Sequence, residues 1–516
     1  MSRRSRSRSG GVRKRRTQPE IKALRKKRRE AQAALRKREL ADGLQRASNP
    51  SVSNRISRHG TVEEERAERE EITRRFIDAI RPQLPALMES LAEIEDYRNP
   101  KKTSHQLTLV LFYGILCFVL QISSRREANR DLSGPVLLSH LRKLFPELER
   151  LPHQDTLNRI VSRIDVEALQ GAHLKMIKRL VRNKKFERWL VAGRYPVAID
   201  GTQKAVRRDQ VSAEWLQRHI NAGKDNKHTQ YYVYVLEAAL AFANGLNLPL
   251  MTEFLNYAEG DTDKNKQDCE TKAFHRLAKR LKAAFPRLPI MLLLDGLYPN
   301  GPILRACRDN RWQFMIVLQD GSLPSVWEEY DALHNLEPDQ VEHRKWANRK
   351  QTFRWVNDIE YCFGANSKSR QVVHVVVCEE RWHDVNTEGD IEEMSSRHAW
   401  ISSEPLTSQN LHERCNLGAR HRWGIEETFL VEKCHGYHYE HLFSCDWNAM
   451  KGYHYLMRLG HALNVLAQFS EQLVAIVAAK GVQAFIKFIS ESLRHPWLDP
   501  QKLHERLHPR PQLRLA

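Results

Sequence analysis

The chain of 516 residues contains no glycine-rich loop of the form G-x-x-x-x-G-K-S/T, the backbone cradle that holds nucleotide phosphates, so ATP use is not expected. Its eight cysteines, at 117, 269, 307, 362, 378, 415, 434 and 445, form no C-x-x-C pair. That excludes a disulfide-stapled scaffold and points to reduced thiols in a cytoplasmic, nucleoid-associated protein. No apolar stretch of the signal-peptide kind follows the first basic residues. The longest apolar run, Leu107 to Leu120, has 14 residues and contains Thr108 and Gly114, short of the roughly 20 needed to cross a bilayer. A buried helix is expected there, and no membrane partner. Acidic residues are scarce at the amino end: residues 1–60 hold 20 Lys/Arg against 4 Asp/Glu, and the remainder holds 63 against 59. Of the formal charge of +20, +16 therefore belongs to the first 60 residues and only +4 to the rest.

What is present is enough to bury a large core: 41% of residues are hydrophobic, and the length suggests about two to four domains. Residues 1–60, with RSRSRS, RKRR and RKKRR, read as a disordered basic arm making salt-sensitive contact with phosphates. Within it, Glu20 to Arg46 is suited to become helical on a polyanion. Residues 61–190 are helical throughout and form the expected DNA-binding or assembly domain. Two short helices there, Ser133–Phe145 and Asp155–Ile164, are spaced like a helix-turn-helix, with Asp155 as cap and Arg159 and Arg163 exposed toward a groove.

At Tyr195 the hydrophobic period changes. YPVAIDGT reads as a buried strand ending in Asp200, residues 207–229 as a loop, and Tyr231–Ala243 with Leu248–Leu255 as a hairpin turning at Asn244-Gly245. A helix over Lys266–Phe285 precedes a second strand, PIMLLLDG, which ends in Asp295. A helix (Gly301–Arg308) and a strand (Trp312–Leu318) follow. This order predicts a mixed α/β sheet in a core spanning 191–335 and 407–448. Residues 336–406 alternate like strands and form a β-rich insertion. Its basic entry interleaves Arg349, Lys350 and Arg354 with Trp355, a pattern suited to phosphates and unpaired bases, while a Trp355 that simply faces inward on a strand fits the sequence equally well. Residues 449–516 are further helices and a tail.

The stretch Arg422–Lys433, RWGIEETFLVEK, places Glu426 at about 40° and Lys433 at about 20° from Arg422 on a helix. A charged surface helix gives the same face. With Asp200 and Asp295 at strand carboxyl ends, however, Glu426 completes three carboxylates suited to hard cations, Mg²⁺ or Mn²⁺. Two such ions roughly 4 Å apart assist in-line phosphoryl transfer. The run CHGYHYEHLFSC, residues 434–445, holds three His and two Cys but lacks the paired half-sites of zinc centres. No Ser, His, Asp set is evident.

Together AIDGT, LLLDG and RWGIEETFLVEK resemble the bacterial insertion-sequence DDE transposases, over roughly residues 100–470. The subgroup resembled carries a helix signature of Tyr, two residues, Arg, three residues, Glu, six residues, Lys. Arg422, Glu426 and Lys433 match it, whereas the Tyr position is Ala419. The resemblance implies an RNase H-like catalytic core interrupted by the β insertion, with Asp200, Asp295 and Glu426 as ligands of two Mg²⁺ or Mn²⁺ ions. It implies Arg422 and Lys433 as contacts to transposon-end DNA, Trp355 as a base-stacking residue where a DNA hairpin forms, and a homodimer or larger synaptic complex. Two other functions share these residues: a transposase-derived DNA binder that does not cut, and a nuclease without strand transfer.

Overall fold

The computed structural model describes residues 16–46, 52–220, 227–256, 268–336, 338–365 and 368–496. The arm does not remain without structure. Residues Gln18–Ala41 form α1, capped by reciprocal contacts between Thr17 and Glu20, with the Thr17 N–H donating to Glu20 Oε2 at 2.6 Å. Ala- and Arg-rich sequence without β-branched residues after Ile21 favours helix. Docking supplies what propensity cannot, because Leu35 and Leu44 are buried. Residues 1–15 lie outside the described residues.

The helical domain comprises α2 (Val62–Ile80), α3 (Leu84–Ala92), α4 (Leu107–Val119), α5 (Arg125–Asp131), α6 (Pro135–Leu141), α7 (Gln154–Val161) and α8 (Glu167–Arg182). As expected, α4 is buried almost all round. The helix expected to start at Asp155 starts one residue earlier, and His153 rather than Asp155 accepts at its N-cap, from the Asp155 N–H at 3.2 Å.

The sheet region follows as β1 (Tyr195–Arg207), β2 (Leu216–Ile220), β3 (His228–Ala241), β4 (Asn247–Phe254), α9 (Glu270–Ala284), β5 (Ile290–Leu294), α10 (Gly301–Asp309), β6 (Gln313–Val317) and α11 (Pro324–His334). It continues as β7 (Val341–Trp346), β8 (Arg349–Phe363), β9 (Ser369–Val385) and β10 (Ile391–Ser402). The chain closes with α12 (Gly424–Cys434), α13 (Trp447–Gln468), α14 (Val474–Lys480) and α15 (Val482–Arg494). The span 207–229, expected as loop, contains β2, an edge strand whose lone deeply buried side chain is Leu216. With apolar residues only at its two ends, Leu216 and Ile220, LQRHI gives no alternation to detect.

Among the described residues the strands form one sheet in the order β2-β3-β1-β5-β6-β10-β9-β8-β7, with β4 also on β3. The neighbours of β5, namely β1 and β6, run parallel to it, and the other pairings are antiparallel. This is the mixed α/β core expected. The β-rich segment is hydrogen-bonded to that core rather than standing apart, because β10 pairs with β6 from Trp400↔Val317 to Ser402↔Met315. Residues 391–399 therefore run past the end of β6, on the edge where β5 ends before Asp295.

At the tip of this overhang sits α1. Lys27 reaches Asp390 at 2.8 Å and Arg16 reaches Glu388 at 2.7 Å, and Lys350 pairs with Asp42 at 2.9 Å. The carboxyl-terminal helices join the amino-terminal ones: α13 packs on α2, α4, α7 and α8. At Gly460 a Cβ would come within 2.8 Å of Phe118 and 3.0 Å of the Val119 nitrogen, so glycine permits the close crossing of α4 and α13.

Candidate active site

The parallel register of β1 and β5 aligns Ala198 with Leu293. Asp200 and Asp295 each lie two residues beyond that pair, so both carboxylates sit just past the paired stretch of β1 and β5 and on one face. Strand β1 does not end at Asp200 as expected but runs on to Arg207, because β3 continues to pair with it. Ala198 and Leu293 on that face belong to the buried cluster that includes Ile425 and Phe429 of α12. The helix of the third acid thus packs over the strands of the first two.

Arg422 links these elements. Its Nη1 donates to Asp200 Oδ2 at 3.2 Å and its Nη2 to Glu426 Oε1 at 2.6 Å. It lies in a short 3₁₀ turn (Ala419–Trp423) preceding α12 rather than within the helix, yet the i,i+4 relation to Glu426 survives. Asp200 is pushed up to about 6 by burial, opposed by Arg422 and reinforced by Asp295 and Glu426. Asp295 accepts from the Leu297 N–H at 2.9 Å, an Asx turn that fixes the chain leaving β5.

The donor chemistry fits a hard divalent cation: three carboxylates lie within electrostatic reach of one another, a single guanidinium pairs with two of them, and Asp200 holds its proton more tightly than an ordinary carboxyl. As the side chains stand, no three His, Cys, Asp or Glu among the described residues converge closely enough to hold an ion. That includes the run 434–445.

The expected DNA-contacting residues are dispersed. Lys433 turns to Glu440 at 3.1 Å, with its ammonium 5.8 Å from the Tyr439 ring centroid. Arg349 pairs with Glu380 at 2.8 Å and lies 4.0 Å from the Trp382 ring centroid; Arg354 pairs with Glu379 at 3.3 Å. The stacking role expected of Trp355 is corrected: the indole is 7% exposed and sits in the core with Phe353 and Trp400, so its face is covered. Arg159 and Arg163 are exposed on and just after α7, the latter 5.7 Å from the Tyr97 ring centroid. The Tyr position of the helix signature, Ala419, is buried against the sheet.

Behind α12 lies a buried charge network that the sequence did not announce. Arg458 of α13 donates to both oxygens of Glu432 at 2.9 Å and lies 3.1 Å from Glu237 of β3. His461 contacts Glu432 at 2.6 Å. Against the effect of burial, Arg458 and His461 hold Glu432 down at about 2. Lys204 donates to the Tyr439 carbonyl at 3.0 Å, and burial pushes its ammonium down to about 8. Charges of both signs thus tie α12 to α13 and to β3 on the flank of Asp200.

Two aspartates on neighbouring parallel strands thus lie under a helix that bears a glutamate, in a mixed α/β core of the kind a DDE transposase domain has. The family model described as "Transposase DDE domain" matches residues 192–463, and one described as "DDE_Tnp_1-associated" matches residues 88–177. The chain belongs to the DDE transposase family. No curated protein matches it. Family membership implies DNA binding and a transposase-type activity. No helix among the described residues is long and apolar enough to cross a membrane.

Proposed function

We propose that this transposase cleaves the ends of its element and joins them to target DNA, using Asp200, Asp295 and Glu426 to hold two Mg²⁺ or Mn²⁺ ions. The observation that carries this reading is the matched position of Asp200 and Asp295 on parallel strands beneath the helix of Glu426. The ions, when bound, supply the Lewis acidity and charge that phosphodiester chemistry needs. The chain's own contribution is placement. The middle of β1 and the Asx turn after β5 fix two carboxylates, α12 carries the third, and Arg422 neutralises Asp200 and Glu426 while the acids face one another. On binding DNA, Arg422 is positioned to exchange one carboxylate for a phosphate, whose two non-bridging oxygens accept from a guanidinium as a carboxylate does.

Further duplex contact comes from Lys433, from Arg349, Lys350 and Arg354, from Arg159 and Arg163, and from the exposed face of α1. A dimer or larger synaptic assembly would hold both ends. Asp200→Asn, Asp295→Asn and Glu426→Gln are each expected to reduce Mg²⁺-dependent end cleavage at least about 10³-fold while leaving end binding within about threefold in a mobility-shift assay. Full cleavage by any one of them would remove that residue from the assignment. The ion pairs of Arg422 favour one rival, a DNA binder that does not cut. Binding of its end sequence without nicking, in Mn²⁺, would establish that rival.

A further inference from the structure

A fourth acid stands beside the expected three. Glu270 opens α9 and is half-buried, and both of its oxygens are taken by phenols. The Tyr234 hydroxyl donates to Oε1 at 2.7 Å and the Tyr298 hydroxyl to Oε2 at 3.2 Å. One of those tyrosines comes from the strand that pairs with β1, which carries Asp200, and the other from the turn that follows Asp295. Tyr234 lies on β3 opposite Gln203 of β1. Tyr298 follows Asp295 by three residues, and its N–H donates to the Asp295 carbonyl at 3.3 Å.

The Glu270 carboxyl lies against Gly201, the residue after Asp200. A Cβ at 201 would come within 2.8 Å of Glu270 Cδ and Oε1 and within 2.6 Å of the Tyr234 ring. The glycine after Asp200 is thus required by space. Burial, Glu270, Asp200 and Asp295 all raise both phenols, so each keeps its proton and donates.

We propose that Glu270 is a positioning residue of the carboxylate site: by accepting the Tyr234 and Tyr298 hydroxyls while lying against Gly201 it fastens the Asp200 segment of β1, with β3 beside it, to the Asp295 turn, fixing the gap across which a divalent cation is shared. This rests on the cation site proposed above. Three lines of contact converge on one side chain: β1 through Gly201, β3 through Tyr234 and the Asp295 turn through Tyr298. Glutamine fills the same volume but accepts through only one of its two terminal atoms, so Glu270→Gln loosens the fastening without opening a cavity.

The test is Mn²⁺ binding to the full chain by titration calorimetry without DNA, with thermal melting in EDTA alongside. Glu270→Gln is expected to weaken Mn²⁺ binding about 10- to 100-fold, the usual effect of losing an outer partner of metal ligands, with the EDTA melting temperature little changed. End cleavage should return when Mg²⁺ is raised in proportion. Tyr298→Phe, which keeps the ring in the core, is expected to weaken binding in the same direction, and the two changes together should be less than additive. Wild-type affinity in folded Glu270→Gln overturns the proposal. If that variant does not fold, wild-type affinity in both Tyr234→Phe and Tyr298→Phe overturns it instead. Asp200→Asn separates the two levels. If wild type takes up no Mn²⁺, or Asp200→Asn binds it as well as wild type, the cation site itself falls and Glu270 with it. If Asp200→Asn abolishes binding while Glu270→Gln does not, only the role of Glu270 falls.

Discussion

At the scale of single residues, Asp200 sets the pH dependence of the site. Burial and its acidic neighbours raise its carboxyl from 3.8 to about 6, so between those values the folded chain keeps a proton that the unfolded chain has released. The stability linked to that proton is fully present below pH 4 and falls by about 3 kcal/mol at most as pH climbs to 6. Cation binding runs the other way, because the ion competes with the proton. Mn²⁺ affinity should rise about tenfold per pH unit up to about 6 and level off above, and a calorimetric titration from pH 5 to 8 checks it. A flat profile would mean that Asp200 is not a ligand. The sequence showed Asp200 and Asp295 because each ends an apolar run at an Asp-Gly pair, a local signal. It did not show Glu270, whose partners are 36 and 28 residues away, and it left open whether Trp355 faces inward, which depends on Val376 and Trp400 arriving from other strands.

At the scale of elements, α12 owes its placement to charge as much as to apolar packing. Arg458 compensates two buried carboxylates, Glu237 and Glu432. Arg458→Met should therefore cost about 3–5 kcal/mol, the penalty of stranding a buried charge, read as a lowered midpoint in urea unfolding. Replacement of an exposed cation of α1, such as Arg25, should change that midpoint little. The docking of α1 is of the opposite kind. Its pairs Arg16–Glu388 and Lys27–Asp390 are about half exposed and worth at most about 1 kcal/mol each, so salt should loosen the helix. Amide hydrogen exchange over residues 18–41 is expected to accelerate between low and high NaCl while β5 and β6 stay protected; equal protection at both would show that apolar contact alone holds it. The helical character of α1 was legible from the lack of Pro and Gly between Glu20 and Gly43. Its docking was not, because acidic residues of the β9–β10 turn, some 360 positions away, supply the anchors.

At the scale of the whole molecule, the charge is segregated. Most of the net +20 resides before residue 61, and α1 presents Lys22, Arg25, Lys26, Arg28, Arg29 and Arg36 outward. Deleting residues 1–46 should lower affinity for nonspecific duplex DNA and flatten the slope of log affinity against log salt; an unchanged slope in a fluorescence-anisotropy titration would reject a phosphate role for the arm. The order of helices and strands could be read along the chain, since each strand near Asp200 and Asp295 carries its own hydrophobic signal. The union of α13–α15 with the amino-terminal helices, and of β7–β10 with the core sheet, could not, because both are pairings between segments far apart in sequence. That second union has a practical side. Excising residues 341–402 would not remove an appendage but would strip the partner from β6, baring a strand of sequence QFMIV. An unprotected apolar edge of that kind recruits other chains, so the shortened protein is one to expect in the pellet.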